Sequence, residues 1–436
     1  MAHTDDQPDA PDGAPIEQQL YAIRQTIQTR AVHGVFANWR VAMVLITQLV
    51  YYGLPWLQWD DRQAVLFDLA SRKFYIFGLV FWPQDFVYLT GLLILAALAL
   101  FLFTAVAGRL WCGYACPQTV YTEIFMWVEQ WLEGDHVARK KLDAAPWSAN
   151  KLKKRGAKHL VWFAIALWTG FTFVGYFTPI QTLAAEVMTW TLGPWESFWI
   201  VFYAFATWGN AGFMREQVCK YMCPYARFQS VMFDSDTLTV TSGIDIRNGL
   251  QYECIGCAAC IDGCDQIMDK MGYPRGLIRY TTENVVKGKY PDSGILRHVL
   301  RPRTILYSVI MLVIGSAFVV SLATRVPLRV DVVRDRVALS KETDEGLIEN
   351  VYRLQLINKD GRAHRYTIEA EGIPGLQVVT SQAEISAAPL QTVDIPVSLV
   401  ADPVELKGRS IEVQFIVRAV DAPEIVDEVK TKFFNR

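Results

Sequence analysis

Cys254-Ile255-Gly256-Cys257-Ala258-Ala259-Cys260-Ile261-Asp262-Gly263-Cys264 sets four thiols at C-x2-C-x2-C-x3-C spacing. Bacterial ferredoxins use this spacing to wrap backbone and thiolates around a cubane iron–sulfur cluster. The other cysteines fall in two shorter motifs, Cys112/Cys116 and Cys219/Cys223, each reading C-x3-C-P. A [4Fe–4S] cluster takes four thiolates, so the 8 cysteines of the chain suffice for two clusters with none left over. The expected chemistry is electron transfer.

The competing readings differ between motifs. A structural zinc site would use two separated cysteine pairs, which the overlapping C-x2-C-x2-C matches poorly. The C-x3-C-P pairs are less specific. Cysteines four apart share a helix face, which suits a cluster, a copper(I) dithiolate or the packing of small buried residues. In two-cluster ferredoxins a Pro-followed fourth cysteine serves the other cluster. Here the fourth loop cysteine precedes Asp265. The preferred allocation therefore groups Cys254, Cys257, Cys260 and Cys223, leaving Cys112, Cys116, Cys219 and Cys264 for the second cluster. Exchanging Cys223 with Cys264 satisfies the count equally well.

Outward from the cysteines the chain is apolar. With 436 residues, 52% of them hydrophobic, it exceeds one soluble domain. The net charge of −2 and the lack of a basic tail give no reason to expect a nucleic-acid partner. Five segments approach the roughly 20 apolar residues that cross a bilayer: 41–59, 86–107, 160–180, 195–213 and 304–323. The run 74–83 is too short to span and reads as re-entrant or interfacial. Residues 1–15 are polar, acidic and Pro-rich, without a secretory signal, and are expected to be disordered. Leu20, Ile23 and Ile27 then mark an amphipathic helix at the membrane surface.

Lysine and arginine crowd 109–158 and 215–303, whereas 181–194 holds Glu186 and no basic residue. The positive-inside rule puts both basic stretches, the N-terminus and every cysteine on the cytoplasmic side. Residues 325–436 then lie outside, without a cysteine that could form a disulfide framework. Five units follow: an N-terminal cytoplasmic segment, 1–40; a four-span membrane domain, 41–213; a cytoplasmic ferredoxin-like domain, 214–303; a fifth transmembrane helix, 304–323; and a periplasmic tail, 325–436. In the tail, Val351–Leu356 and Ile411–Val417 alternate apolar and polar residues, and Asn358-Lys359-Asp360-Gly361 signals a turn. That pattern predicts an immunoglobulin-like β-sandwich.

Each C-x3-C-P motif follows two spans and contains Tyr between its cysteines, which marks an internal repeat. The 6 histidines (His3, His33, His136, His159, His298 and His364) show no ligand spacing. Met268 and Met271 could offer soft copper ligands, but core packing is the favoured reading for them. Trp56, Trp59, Trp82, Trp111, Trp190 and Trp195 near span ends read as an aromatic belt. Asp68, Arg72 and Asp85 read as salt-bridging residues rather than a site.

The stretches Trp59–Phe86, Arg109–Glu123 (RLWCGYACPQTVYTE) and Ser242–Met271 resemble the cytochrome oxidase accessory family called CcoG, FixG or RdxA. The resemblance runs from about residue 20 to the end, because that family also closes with an immunoglobulin-like periplasmic domain. It implies a membrane polyferredoxin of the bacterial inner membrane, needed to assemble cbb-type cytochrome oxidase. It also implies partners among the oxidase subunits or copper-handling assembly proteins, and reduction of the substrate Cu(II) to Cu(I). All eight cysteines would be ligands of two [4Fe–4S] clusters. Two other functions fit the residues: a quinol-linked electron-transfer subunit of a respiratory reductase, and a non-enzymatic oxidase assembly scaffold.

Overall fold

The computed structural model describes residues 28–242, 254–291, 299–334 and 340–435. The segments 1–15 and Leu20–Ile27, read above as disordered and amphipathic, lie outside the described residues.

Twelve helices are used below. They are α1 (Val35–Gly53), α2 (Phe86–Ala107), α3 (Leu110–Tyr114), α4 (Pro117–Glu133), α5 (His136–Ala144) and α6 (Ala149–Val174). The remainder are α7 (Ile180–Thr189), α8 (Pro194–Thr207), α9 (Pro224–Met232), α10 (Ala259–Met271), α11 (Glu283–Val286) and α12 (Pro302–Ala323).

Among the described residues, 3 helical stretches have the length and apolarity to cross a membrane: Pro83–Ala107, Ala149–Val174 and Pro302–Ala323. The expectation of five is corrected to three. In α1, which replaces the expected 41–59, Asn38, Arg40 and Gln48 interrupt the apolar run, and Pro55 closes it early. The segment 195–213 is not one continuous α-helix. After α8 the backbone widens into a π-helical turn, Trp208–Met214, where Gly209, Asn210 and Gly212 weaken the regular ladder. The third span ends at Val174 and not 180, while its Lys-rich first turns start at Ala149 under a Ser148 cap.

α2 and α12 lie antiparallel. The Tyr88 hydroxyl donates to Ser321 O (3.2 Å) at one end, and Arg301 donates to Ala105 O (2.7 Å) at the other. Both carry exposed leucine, isoleucine or valine along their length, including Leu92, Leu93, Leu312 and Val313. Apolar side chains facing outward over 22 residues are what a helix able to cross a membrane carries. α6 and α8 pack so closely that a Cβ on Gly170 would sit 2.3 Å from Ile200 O.

The run 74–83 is not re-entrant. Lys73–Ile76 and Leu79–Phe81 join Val65–Asp68 in an antiparallel meander. Aromatic and β-branched residues favour strands, and the left-handed backbone of Phe77 before Gly78 makes the reversal. Buried Gln63 pins this meander to the bundle. It donates to Gly175 O (2.7 Å) and accepts from Ile180 N–H (2.9 Å). Asp85 is an ion-pair node to Arg325 (2.5 Å) and Lys359 (2.7 Å), as its salt-bridging reading expected. Trp82 does not belong to a lipid-facing belt. It is buried with Val80 against Ile357 of the tail.

The tail is a sandwich of two antiparallel sheets. One runs 377–380, 392–401, 348–358, 328–334, and the other 385–387, 364–371, 410–419, 426–434. Alternation decides which residues are buried: Tyr352, Leu354 and Leu356 meet Val413, Phe415 and Val417 in one core. The meander and the tail lie at one pole of the α2–α12 pair, and every cysteine motif lies toward the other.

Candidate iron–sulfur centre

The two C-x3-C-P motifs have the same local form. Cys112 sits in the short α3, and Cys219 in a π-helical turn, Val218–Met222. Cys116 and Cys223 each adopt extended backbone immediately before a helix whose first residue is proline. Proline suits that position because its fixed φ is already helical and no N–H is lost there. Each second cysteine therefore stands at the N-terminal, positive end of a helix, α4 or α9.

The four-cysteine loop is shaped by its backbone. Gly256 (φ 68°) and Ala258 (φ 57°) are left-handed, which curls the chain between Cys254 and α10. Cys260 and Cys264 lie one turn apart on α10 and so share a face. A small sheet of Thr239–Ser242 with Ile278–Thr281 backs the loop, and Tyr280 donates to Gly256 O (2.5 Å). Asp262, between the two α10 cysteines, accepts from the N–H groups of Ala37 (2.7 Å) and Phe36 (3.3 Å). The ferredoxin-like unit thus supplies the N-terminal cap of α1, satisfying donors that a helix cannot satisfy itself.

Tertiary contacts bring the motifs together. A Cβ on Gly113 would lie 2.9 Å from Cys257 N and Cα and from Gly256 C, so the first motif rests on the loop backbone. The Cys112 thiol approaches Oε1 of buried Gln229 on α9 (3.4 Å), which ties the first motif to the helix after the second. Glu129 of α4 pairs with Arg215 (2.7 Å) and Arg139 (3.0 Å), fixing the chain just before Cys219.

Arg109 is the functional candidate that the cysteine pattern did not expose. It is 6% exposed, donates to Ala226 O (2.7 Å), and reaches Cys254 O at 3.4 Å. A buried guanidinium thus links α9 to the loop. The available signal was its place three residues before Cys112 in RLWCGYACP, where sequence reasoning counted it only as loop charge.

Seven of the eight thiols fall into two neighbourhoods. Burial pushes Cys219 up to about 11, with Cys116, Cys223 and Cys112 adding to it and Arg109 opposing. Burial also raises Cys112, with Cys116 and Cys223 nearby. Cys254 and Cys260 are raised by burial and then by Cys257, and Cys260 also by Cys254. Cys223 therefore lies with the other C-x3-C-P thiols. Among the described residues no three His, Cys, Asp or Glu side chains converge as a single-ion site. A cubane gives each thiolate its own iron and so spreads its ligands more widely than one ion does. Partly buried thiols near a buried guanidinium suit an anionic cluster: the protein raises the cost of an unmetallated thiolate and supplies a compensating cation. His364 is paired with Asp360 and Asp421. His159 is packed among Trp162, Trp208 and Phe213.

Fold and site together define an iron–sulfur electron-transfer protein, an oxidoreductase in the general sense, with an immunoglobulin-like tail. Models of a 4Fe-4S binding domain and a 4Fe-4S dicluster domain match residues 89–142, and 214–243 with 239–283. The IG-like fold at the C-terminal of FixG matches 318–436. Protein RdxA of Cereibacter sphaeroides is 37% identical, over 83% of this chain and 86% of its own. Nitrogen fixation protein FixG of Rhizobium meliloti is 35% identical, over 83% of this chain and 82% of its own. Protein RdxB of Cereibacter sphaeroides is 38% identical, over 86% of this chain and 87% of its own. The crystal structure of a FixG-related protein from Vibrio parahaemolyticus covers 25% of this chain and 97% of its own, at 29% identity and TM-score 0.23. The chain belongs to the FixG family, as the motifs quoted above implied.

Proposed function

We propose that this chain is a multi-pass protein of the bacterial inner membrane that reduces Cu(II) to Cu(I) for assembly of cbb-type cytochrome oxidase. Cys112, Cys116, Cys219 and Cys223 would hold one [4Fe–4S] cluster, and Cys254, Cys257, Cys260 and Cys264 the other. When bound, each cluster exchanges single electrons, and one electron is what Cu(II) takes. The observation that carries the electron-transfer reading is the backbone contact of Gly113 with Cys257, which sets the two thiol groups side by side. Copper and the oxidase rest on the family resemblance and on chemistry: thiolate-rich carriers select Cu(I), so a reductant upstream of them has a use.

The cysteines and the N-terminus would face the cytoplasm and the sandwich the periplasm. The basic starts of α6 and α12, at the cysteine pole, support that sidedness. Anaerobically purified protein should contain two clusters by iron, sulfide and EPR analysis. After reduction with dithionite, Cu(II) should reoxidise it stoichiometrically, one electron per copper. Two clusters that Cu(II) leaves reduced would overturn the copper assignment and keep the electron carrier. Oxidase maturation by ligand-free variants would instead support a scaffold.

A further inference from the structure

A cavity of about 420 Å³ lies among α1, α4, α6 and α8. That volume is within the range of small-molecule sites, about 300–1,000 Å³. Ala115 and Pro117, the neighbours of Cys116, form part of its wall. Two further lining residues, Thr169 and Phe173, belong to a helix with the length and apolarity of a membrane span. Tyr51, Tyr121 and Tyr203 contribute rings, and no lining side chain is charged.

One lining residue carries an unsatisfied polar atom. Gln48 Oε1 is buried with no hydrogen-bond partner, although a buried acceptor costs about 1–3 kcal/mol when left unpaired. The Gln118 amide, also in the wall, is already used, donating to Asn210 O (2.9 Å) and Arg215 O (3.2 Å). The vacant requirement is thus a donor to Gln48. The lack of charge disfavours carboxylates, phosphates and free cations. Aromatic walls beside an apolar helix favour a flat, neutral, lipid-soluble molecule carrying a hydroxyl.

We infer that this cavity binds a quinol, which donates electrons to the thiol-held centre beside Cys116. The assignment rests on the electron-transfer reading above and names its donor. The quinol's two O–H bonds break and it leaves as quinone. Its two electrons would go one to each oxidised [4Fe–4S] cluster that the cysteines hold, and its two protons to water. Two Cu(II) ions then take the two electrons. Gln48 Oε1 would accept the hydrogen bond of one quinol hydroxyl and fix the ring against the Cys116 wall.

The test uses the full-length holoprotein in lipid nanodiscs. A photoreactive azido-ubiquinone should label peptides of α1, α4 or α8 that line the cavity, in competition with decylubiquinone. Gln48→Leu should weaken labelling at least tenfold, and Ala206→Phe, which fills the cavity, should abolish it. In both variants decylubiquinol should reduce the clusters at least tenfold more slowly than in the parent, with dithionite reduction and iron content unchanged. Labelling elsewhere, or labelling and quinol reduction unaffected in variants that retain their clusters, would overturn the site. Failure of Cu(II) to reoxidise the clusters would remove the copper reading and leave this one standing, so the two failures are separable.

Discussion

Gly113 is where one added carbon tests the arrangement of thiols. Its Cβ would meet Cys257 backbone at 2.9 Å, and backbone cannot rotate away as a side chain can. Gly113→Ala should cost about 1–3 kcal/mol as overpacking and lower the iron content below that of the parent. A variant with full iron and unchanged EPR spectra would show that the motifs are not in contact. Arg109 makes a second prediction at the same scale. Replacing a buried cation near thiolates with Arg109→Gln disfavours the more negative reduced state. The reduction potential should fall by on the order of tens of millivolts in an EPR-monitored titration. Neither residue was legible in advance, because a glycine and an arginine beside a cysteine motif have many ordinary uses. Only the approach of sequence-distant backbone gives them these.

Elements show where pattern reading succeeds and where it does not. Strand alternation in the tail marks runs whose Tyr352, Leu354 and Val413 face the core, because a period of two leaves only one way to bury a face. Helices were harder. An apolar run marks burial of some kind, and α1 and α8 are buried partly against other helices, so their polar and π-helical interruptions are tolerated inside the bundle. The tail also carries a pH-sensitive edge. Burial pulls His364 down, but hydrogen bonds to Asp360 and Asp421 outweigh it and the net shift is upward. A raised folded-state pKa means this contribution is complete below the ordinary histidine value near 6.5 and is lost as pH rises through the raised one. The midpoint of sandwich unfolding should therefore decline across that interval, and His364→Gln should flatten the decline. An identical pH profile for parent and variant would exclude the pair as its source.

At the scale of the whole molecule, two poles are joined by long helices, and two predictions follow. Cys257→Ala should remove one cluster signal from the EPR spectrum of the reduced protein while leaving helical content unchanged. An unaltered two-cluster spectrum would contradict the ligand assignment. Alkaline phosphatase fused after Arg436 should be active in the periplasm, and a well-expressed but inactive fusion would reverse the topology. The sequence by itself determined the cluster-type cysteine spacing, the apolar helices and the alternating strands. Those are properties of neighbouring residues and of short periods, which local chemistry imposes on any chain. Tertiary structure alone decided that Cys223 lies near the thiols of Cys112 and Cys219, that Asp262 caps α1, and that Gln48 lines a cavity. Each of these depends on which distant backbones approach within contact, and no spacing along the chain encodes that distance.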